Sequence, residues 1–274
     1  MLAALVIVFR EVIEAGLVIG IVLATARGVY GRGAWVGVGV LAGVAGACLV
    51  AAFAGAISEA FAGSGQELFN ATVLLVAVLM LGWHNVWMAR HGRAIAAEVK
   101  AVGDAVASGA RPLAALSVVV GVAVLREGAE VVLFLYGIAV SGSDTLASMA
   151  TGGTLGLLLG GALTALMYFG LLSIPARYLF SLTSWLIAVL AAGMAAQAVA
   201  FLQVAGVATA LPSTVWDTSD LLSEGSVFGK VLHTLIGYTD RPTVLQLAAY
   251  VMTLASIFIL MRLFGTTARK QALA

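Results

Sequence analysis

Two stretches of this chain place ionisable side chains inside otherwise apolar sequence. "VFREVIEAGLV" carries Arg10, Glu11 and Glu14, and "VLREGAEVVLF" carries Arg126, Glu127 and Glu130. Both read R-E-x-x-E. On a helix, Arg10 and Glu11 lie about 40° and 60° either side of Glu14, so all three share one face. The same holds for Arg126, Glu127 and Glu130. On a soluble helix such a motif is an ordinary ion pair worth a few tenths of a kcal/mol. In lipid, about 3 kcal/mol per central charge puts six of them at roughly 18 kcal/mol before pairing. Two Arg–Glu pairs offset part of that cost, and two glutamates remain over. Four carboxylates against two guanidinium groups leave a surplus of negative charge, which suits a cation. Carboxylate oxygens are hard ligands, so the chemistry indicated is Mg²⁺, Ca²⁺, Mn²⁺ or iron, not copper(I) or thiolate-bound zinc.

The elements that must hold these groups are membrane helices. The chain has 274 residues, 62% of them hydrophobic and 10% charged, with a mean hydropathy of +1.10. That is too apolar for one water-soluble core, so an all-α integral membrane protein is expected. The 32 glycines favour close helix packing, and the unalternated apolar runs disfavour a barrel. Net charge is +1, and no basic patch is interleaved with aromatics, so nucleic acid is not an expected partner. Cys48 reads as a small core residue, and the first run reads as a retained span without a basic leader.

Seven apolar runs are long enough to span a bilayer, near 2–26, 34–61, 67–89, 113–139, 149–173, 179–205 and 243–264. Pro112, Pro175, Pro212 and Pro242 all fall at or between their ends, where a missing N–H costs little. Ten lysines and arginines belong to one set of connections and the C-terminal end, whereas only Lys230 and Arg241 belong to the other. The positive-inside rule then puts the N-terminus outside and the C-terminus in the cytoplasm. The outer side is acidic, with Glu67, Asp144, Asp217, Asp220, Glu224 and Asp240 at or near it.

The two motifs are 116 positions apart, and their surroundings match as well. "LFNATVLLVAVLMLG" (68–82) lies over "LFSLTSWLIAVLAAG" (179–193), and "GVLAGVAGACL" (39–49) more weakly over "GLLLGGALTAL" (156–166). Each copy holds three spans, so the second must thread the membrane in the opposite sense. The expectation is one membrane domain over 1–274. It comprises repeat one (1–89), a cytoplasmic loop (90–112), repeat two (113–205), an outer loop (206–242) and a seventh helix (243–264). Both motifs then reach the bilayer centre, roughly 12–20 Å from their span ends at 1.5 Å per residue.

The paired motifs, the seven spans and "QELF" (66–69) opening span three resemble the oxidase-dependent iron permease family of high-affinity iron transporters. The outer stretch "WDTSDLLSEGSVFGKVLHTLIGY" (216–238) is similar to its bacterial branch. The resemblance implies a multi-pass protein of the bacterial inner membrane that moves iron, as Fe³⁺ or Fe²⁺, into the cytoplasm. Glu11, Glu14, Glu127 and Glu130 would coordinate it, with Arg10 and Arg126 balancing charge. It also implies an extracytoplasmic oxidising or iron-delivery partner. The chain itself shows no oxidase, haem or copper motif, and is expected to be neither an enzyme nor the holder of a permanent cofactor.

Secondary features carry plainer readings. Glu59, Glu67, Asp217, Asp220 and Glu224 form a possible outer relay, although Ser64-x-x-Glu67 also fits a capping box. His84 and Asn85 are expected to pack near the inner interface, where Trp83 and Trp87 fit an aromatic belt. His91 reads as solvated, Gln203 as an interhelical hydrogen bonder, and the outer stretch as a short helix lying on the membrane. Iron is expected to pass between spans one and four. A manganese or calcium transporter is the nearest alternative. An intramembrane protease is disfavoured because it would need a histidine at membrane depth.

Overall fold

The structure is a computed structural model that describes residues 1–60, 66–140, 145–170 and 176–271. Ser64 and Asp144, and the side chain of Glu59, lie outside the described residues. The described chain is all-helical: α1 (Leu2–Thr25), α2 (Arg32–Ala60), α3 (Gln66–Ala107), α4 (Ala114–Val140), α5 (Leu146–Tyr168), α6 (Ala176–Val204), α7 (Val227–Ile236) and α8 (Val244–Gln271). Among the described residues the only strand-like pairing is one isolated bridge, between Thr214 and Thr243.

Five helices, α2, α3, α5, α6 and α8, each hold a window long and apolar enough to cross a membrane. Helices α1 and α4 are also long, at 24 and 27 residues, and differ in carrying the three charges of a motif apiece. Large apolar side chains stand on the outer faces, among them Leu41, Leu49, Phe53, Leu79 and Met252. Such a surface is stable against lipid and not against water.

Glycines set the closest helix contacts. An added Cβ at Gly43 on α2 would fall 2.7 Å from Val124 Cβ on α4 and 2.8 Å from the Gly121 carbonyl. One at Gly156 on α5 would fall 2.6 Å from the Leu5 carbonyl on α1, and one at Gly160 2.9 Å from that of Phe9. Only a residue without a side chain lets backbones approach this closely. Contacts climb together along both pairs: Gly39 meets Ser117, Gly43 meets Val124 and Gly128 meets Ala47, while Gly156 meets Leu5, Gly160 meets Val12 and Gly16 meets Thr164. Helix α2 therefore runs parallel to α4, and α5 parallel to α1. Helices α1 and α4 run antiparallel, because Val22 shares a buried cluster with Leu116 and Val120 while Glu11 lies beside Glu127. Helix α3 packs mainly on α6, and α6 also on α8.

Three sequence expectations change. The expected cytoplasmic loop 90–112 is helical as far as Ala107, giving α3 a length of 42 residues. Its alanine-rich, charged sequence favours helix, and Ile95, Val99 and Val106 pack against Val22, Val36 and Leu116. Cys48 lies exposed on α2 instead of in the core.

Helix α7 does not simply lie across the ends of the bundle. Its C-cap Gly237, at φ +68°, abuts Gly193 of α6 and Tyr250 of α8. The C-terminal end of α6 and the N-terminal end of α8 are tied by Gln203, whose Nε2 donates to Thr243 Oγ1 at 3.1 Å. Gly193 lies ten residues before Gln203, so α7 reaches roughly 15 Å below that tie at 1.5 Å per residue. Facing glycines admit the chain there, and the left-handed φ costs glycine nothing.

Candidate metal centre

The two motifs meet where α1 and α4 cross. Arg10 sits between the acids of its own motif, with Nη1 3.1 Å from Glu11 Oε1 and Nη2 2.8 Å from Glu14 Oε1. Arg126 makes looser contacts: its Nε is 3.3 Å from Glu130 Oε1 and 3.9 Å from Glu127 Oε1. The two arginines also differ in environment. The Arg10 side chain is 2% exposed and that of Arg126 34%, and the Arg126 guanidinium carbon stands 4.3 Å from the centroid of the Trp87 ring. Arg10 is a fixed counter-charge buried in the bundle. Arg126 borders open space.

A third helix enters the centre. His84 of α3 is 4% exposed and turns one ring nitrogen to each motif: Nε2 lies 3.4 Å from Glu14 Oε2 and Nδ1 2.5 Å from Glu130 Oε2. This corrects its expected position near the inner interface. The face of α3 that packs into the bundle runs Leu74, Ala77, Leu81, His84, Asn85, all buried. That is helical spacing, and His84 falls on it. Counting from the end of the apolar run misplaced this residue, because the helix continues well past Met88. The periodicity of the apolar face was the signal that could have found it. Asn85 beside it donates from Nδ2 to the Ser184 carbonyl of α6 at 3.3 Å.

The donor atoms divide into two sets. One ligand atom each from Glu11, His84, Glu127 and Glu130 lie within 4.8 Å of one another. Glu14 stands just outside that group, held by Arg10 and His84. Glu11 Oε2 and Glu127 Oε2, equivalent atoms of the two motifs, are buried and face no hydrogen-bond donor. A buried carboxylate oxygen without a donor is costly, and a cation placed among these atoms would remove the cost. Among the described residues this is the only group of three or more acid, imidazole or thiol ligands close enough to hold a metal.

A cavity of about 340 Å³ reaches the centre, lined by Met80, Trp83, His84, Trp87, Arg126 and Glu130. It lies between α3 and α4, whereas the expected route ran between spans one and four.

The outer acids are dispersed. Asp217 Oδ2 is 3.0 Å from Arg241 Nε, and Glu224 Oε1 is 3.1 Å from His233 Nδ1. Hydrogen bonds from the Ser219 hydroxyl and backbone N–H, together with the Arg241 guanidinium, hold the Asp217 carboxyl down at about 2. Asp220 is exposed, and Glu67 is half-buried in the first turn of α3. His91, expected to be solvated, stacks on Trp87 with ring centroids 5.1 Å apart.

The model of the iron permease FTR1 family matches residues 1–272. A protein of Yersinia pestis named ferrous iron permease EfeU is 32% identical over 260 residues, covering 93% of this chain and 90% of that protein. Proteins of the same name are 31% identical in Escherichia coli O6:K15:H31 over 271 residues, covering 96% of this chain and 97% of that protein, and in Shigella sonnei over 273 residues, covering 97% and 98%. No solved structure matches the chain.

Proposed function

This chain belongs to the iron permease FTR1 family, and from that premise we propose that it carries ferrous iron across a bacterial inner membrane into the cytoplasm, through a site built by the two R-E-x-x-E motifs. The observation that carries this reading is the convergence of Glu11 from α1 with Glu127 and Glu130 from α4, their donor atoms within 4.8 Å. Neither helix alone gathers enough oxygens to replace an ion's hydration shell. Together they do so in a place where unpaired carboxylates are unfavourable.

In this reading seven helices cross the bilayer, α1 to α6 and α8, and the first six form an inverted 3+3 repeat. Support comes from the glycines: Gly39 and Gly43 receive α4, and their aligned counterparts Gly156 and Gly160 receive α1. Ten lysines and arginines on one side against two on the other support an outer N-terminus and a cytoplasmic C-terminus. Alternating access then amounts to one three-helix unit rocking against the other around the central site.

Iron reaches the outer face from an extracytoplasmic delivery or oxidising protein, passes to the site and displaces Arg126 from Glu130, while Arg10 stays in place. The relatives are named ferrous iron permeases, which favours Fe²⁺ over Fe³⁺ as the travelling ion. Manganese or calcium transport is the competing reading, separated by cation competition during uptake. Membership of a permease family supports a transporter over an enzyme. The expected ground against a protease, a lack of histidine at membrane depth, does not stand, since His84 is at the centre.

The test is uptake of radioactive iron by vesicles carrying the purified protein. Glu11→Gln, Glu14→Gln, Glu127→Gln and Glu130→Gln should each lower the rate at least tenfold while the protein still inserts. Normal transport by both Glu14→Gln and Glu130→Gln would refute the site.

A further inference from the structure

We infer that His84 is itself a ligand of the transported iron, the one nitrogen donor in an otherwise carboxylate site, and that it sets selectivity for Fe²⁺ over hard divalent cations such as Ca²⁺. This rests on the iron-site reading above and deepens it.

His84 is placed for that role by four observations. Its side chain is 4% exposed and reaches the same 4.8 Å group as Glu11, Glu127 and Glu130. Each ring nitrogen faces a carboxylate of a different motif, Nε2 at 3.4 Å from Glu14 Oε2 and Nδ1 at 2.5 Å from Glu130 Oε2, so the imidazole bridges the two motifs.

The second-shell partner of a metal-bound imidazole is also present. A ligating histidine usually gives its other nitrogen to a carboxylate, which fixes the tautomer and the ring plane. Glu14 Oε2 lies 3.4 Å from Nε2 and stands outside the donor group. Nδ1 is the nitrogen turned to Glu130, a member of that group, so Nδ1 is the iron-binding atom and Glu14 orients the ring. Bonds of about 2.0–2.2 Å to nitrogen and oxygen, as in zinc sites, put ligand atoms of one shell roughly 3–4.3 Å apart. Within the 4.8 Å group the widest separations need a small contraction, and the 2.5 Å approach of Nδ1 to Glu130 Oε2 must open by about 0.5 Å.

The repeat supplies the last argument. Extending the match of 68–82 over 179–193 by two positions sets His84 against Ala195, which is buried in α6. Every charged group of the centre occurs twice, once per copy, and the imidazole occurs once. One imidazole placed between the two motifs serves both, where two would fill the space the ion must occupy. Imidazole is a poor ligand for Ca²⁺ and Mg²⁺ and a good one for first-row transition metals. Carboxylates alone would not make that distinction.

The test uses the purified full chain in lipid nanodiscs, loaded anaerobically with Fe²⁺, and iron X-ray absorption. Wild type should show imidazole outer-shell scattering above an oxygen-rich first shell. His84→Gln should bind iron with that signature gone. In vesicle uptake, His84→Gln and His84→Asp should lose at least tenfold in preference for Fe²⁺ over Ca²⁺, whatever their absolute rate. An all-oxygen shell in wild type overturns the inference and leaves the carboxylate site standing, and so does an unchanged preference in both variants. Wild type that binds no iron overturns both readings. The wild-type spectrum decides the ligand even where a variant fails to fold.

Discussion

The guanidinium of Arg126 lies over the indole of Trp87, 4.3 Å from ring centroid to carbon, and it is the arginine that lines the cavity. In the proposed mechanism the stacking would hold Arg126 once a cation takes Glu130 from it. A cation–π contact of this type is worth about 0.5–2 kcal/mol. Trp87→Leu should therefore weaken iron affinity roughly 2- to 30-fold, with Trp87→Phe in between, as read by iron titration of the purified protein. Equal affinity in all three would dismiss the stacking as a contributor.

Arg10 and Arg126 should respond differently to removal. Arg10 is buried between Glu11 and Glu14, and breaking a buried pair costs about 3–5 kcal/mol because a charge is left behind. Arg10→Gln is expected to lower the thermal unfolding midpoint sharply in detergent. Arg126→Gln, at a site 34% exposed in this structure, should lower it much less. Matching losses in the two variants would contradict the asymmetry.

Glycine contacts give a packing prediction. Gly43→Leu and Gly156→Leu would drive side chains into α4 and α1, where the nearest atoms include backbone carbonyls at 2.8 and 2.6 Å. Overpacking costs about 1–3 kcal/mol where neighbours can yield, and more is expected against backbone. Gly37→Ala and Gly161→Ala meet nothing within 4 Å, so stability should hold or rise by up to about 1 kcal/mol from helix propensity. Thermal unfolding of the four variants checks both halves.

The segment between α6 and α8 should loosen in acid. The Asp217 carboxyl is depressed to about 2 from an ordinary 3.8, so its ionised form is favoured by the fold. Its contribution is complete above about 3.8 and disappears as pH falls through about 2. Amide exchange across 214–243 should quicken in that window, and Asp217→Asn should show the quicker exchange already at neutral pH. A flat profile in the wild-type segment would argue against the Asp217–Arg241 tie.

Orientation can be read by labelling. In a Cys48→Ala background, Ser219→Cys should react with a membrane-impermeant maleimide on intact cells, and Gly109→Cys only after the membrane is opened. The reverse pattern would invert the topology.

Much of this protein is legible in its sequence. The six charges, their duplication at 116 positions and the lysine and arginine bias are linear features, and the cost of a charge in lipid makes the charges a candidate site. The helices followed as well, since a span of about 20 apolar residues needs no knowledge of its neighbours. His84 was not legible in the same way. Its depth depends on how α3 lies against α1 and α4, and nothing in the apolar run reveals that α3 continues to Ala107.

Tertiary structure also decided which carboxylates act together. In sequence, Glu11 and Glu14 are interchangeable members of one motif. In space, Arg10 and His84 hold Glu14 while Glu11 meets Glu127 and Glu130. A helix fixes which side chains share a face, and so the sequence determines the set of candidates. Which of them touch a partner depends on how α1 crosses α4; the glycines bear on it only indirectly, by seating α4 against α2 and α1 against α5, and only the packed bundle contains that information.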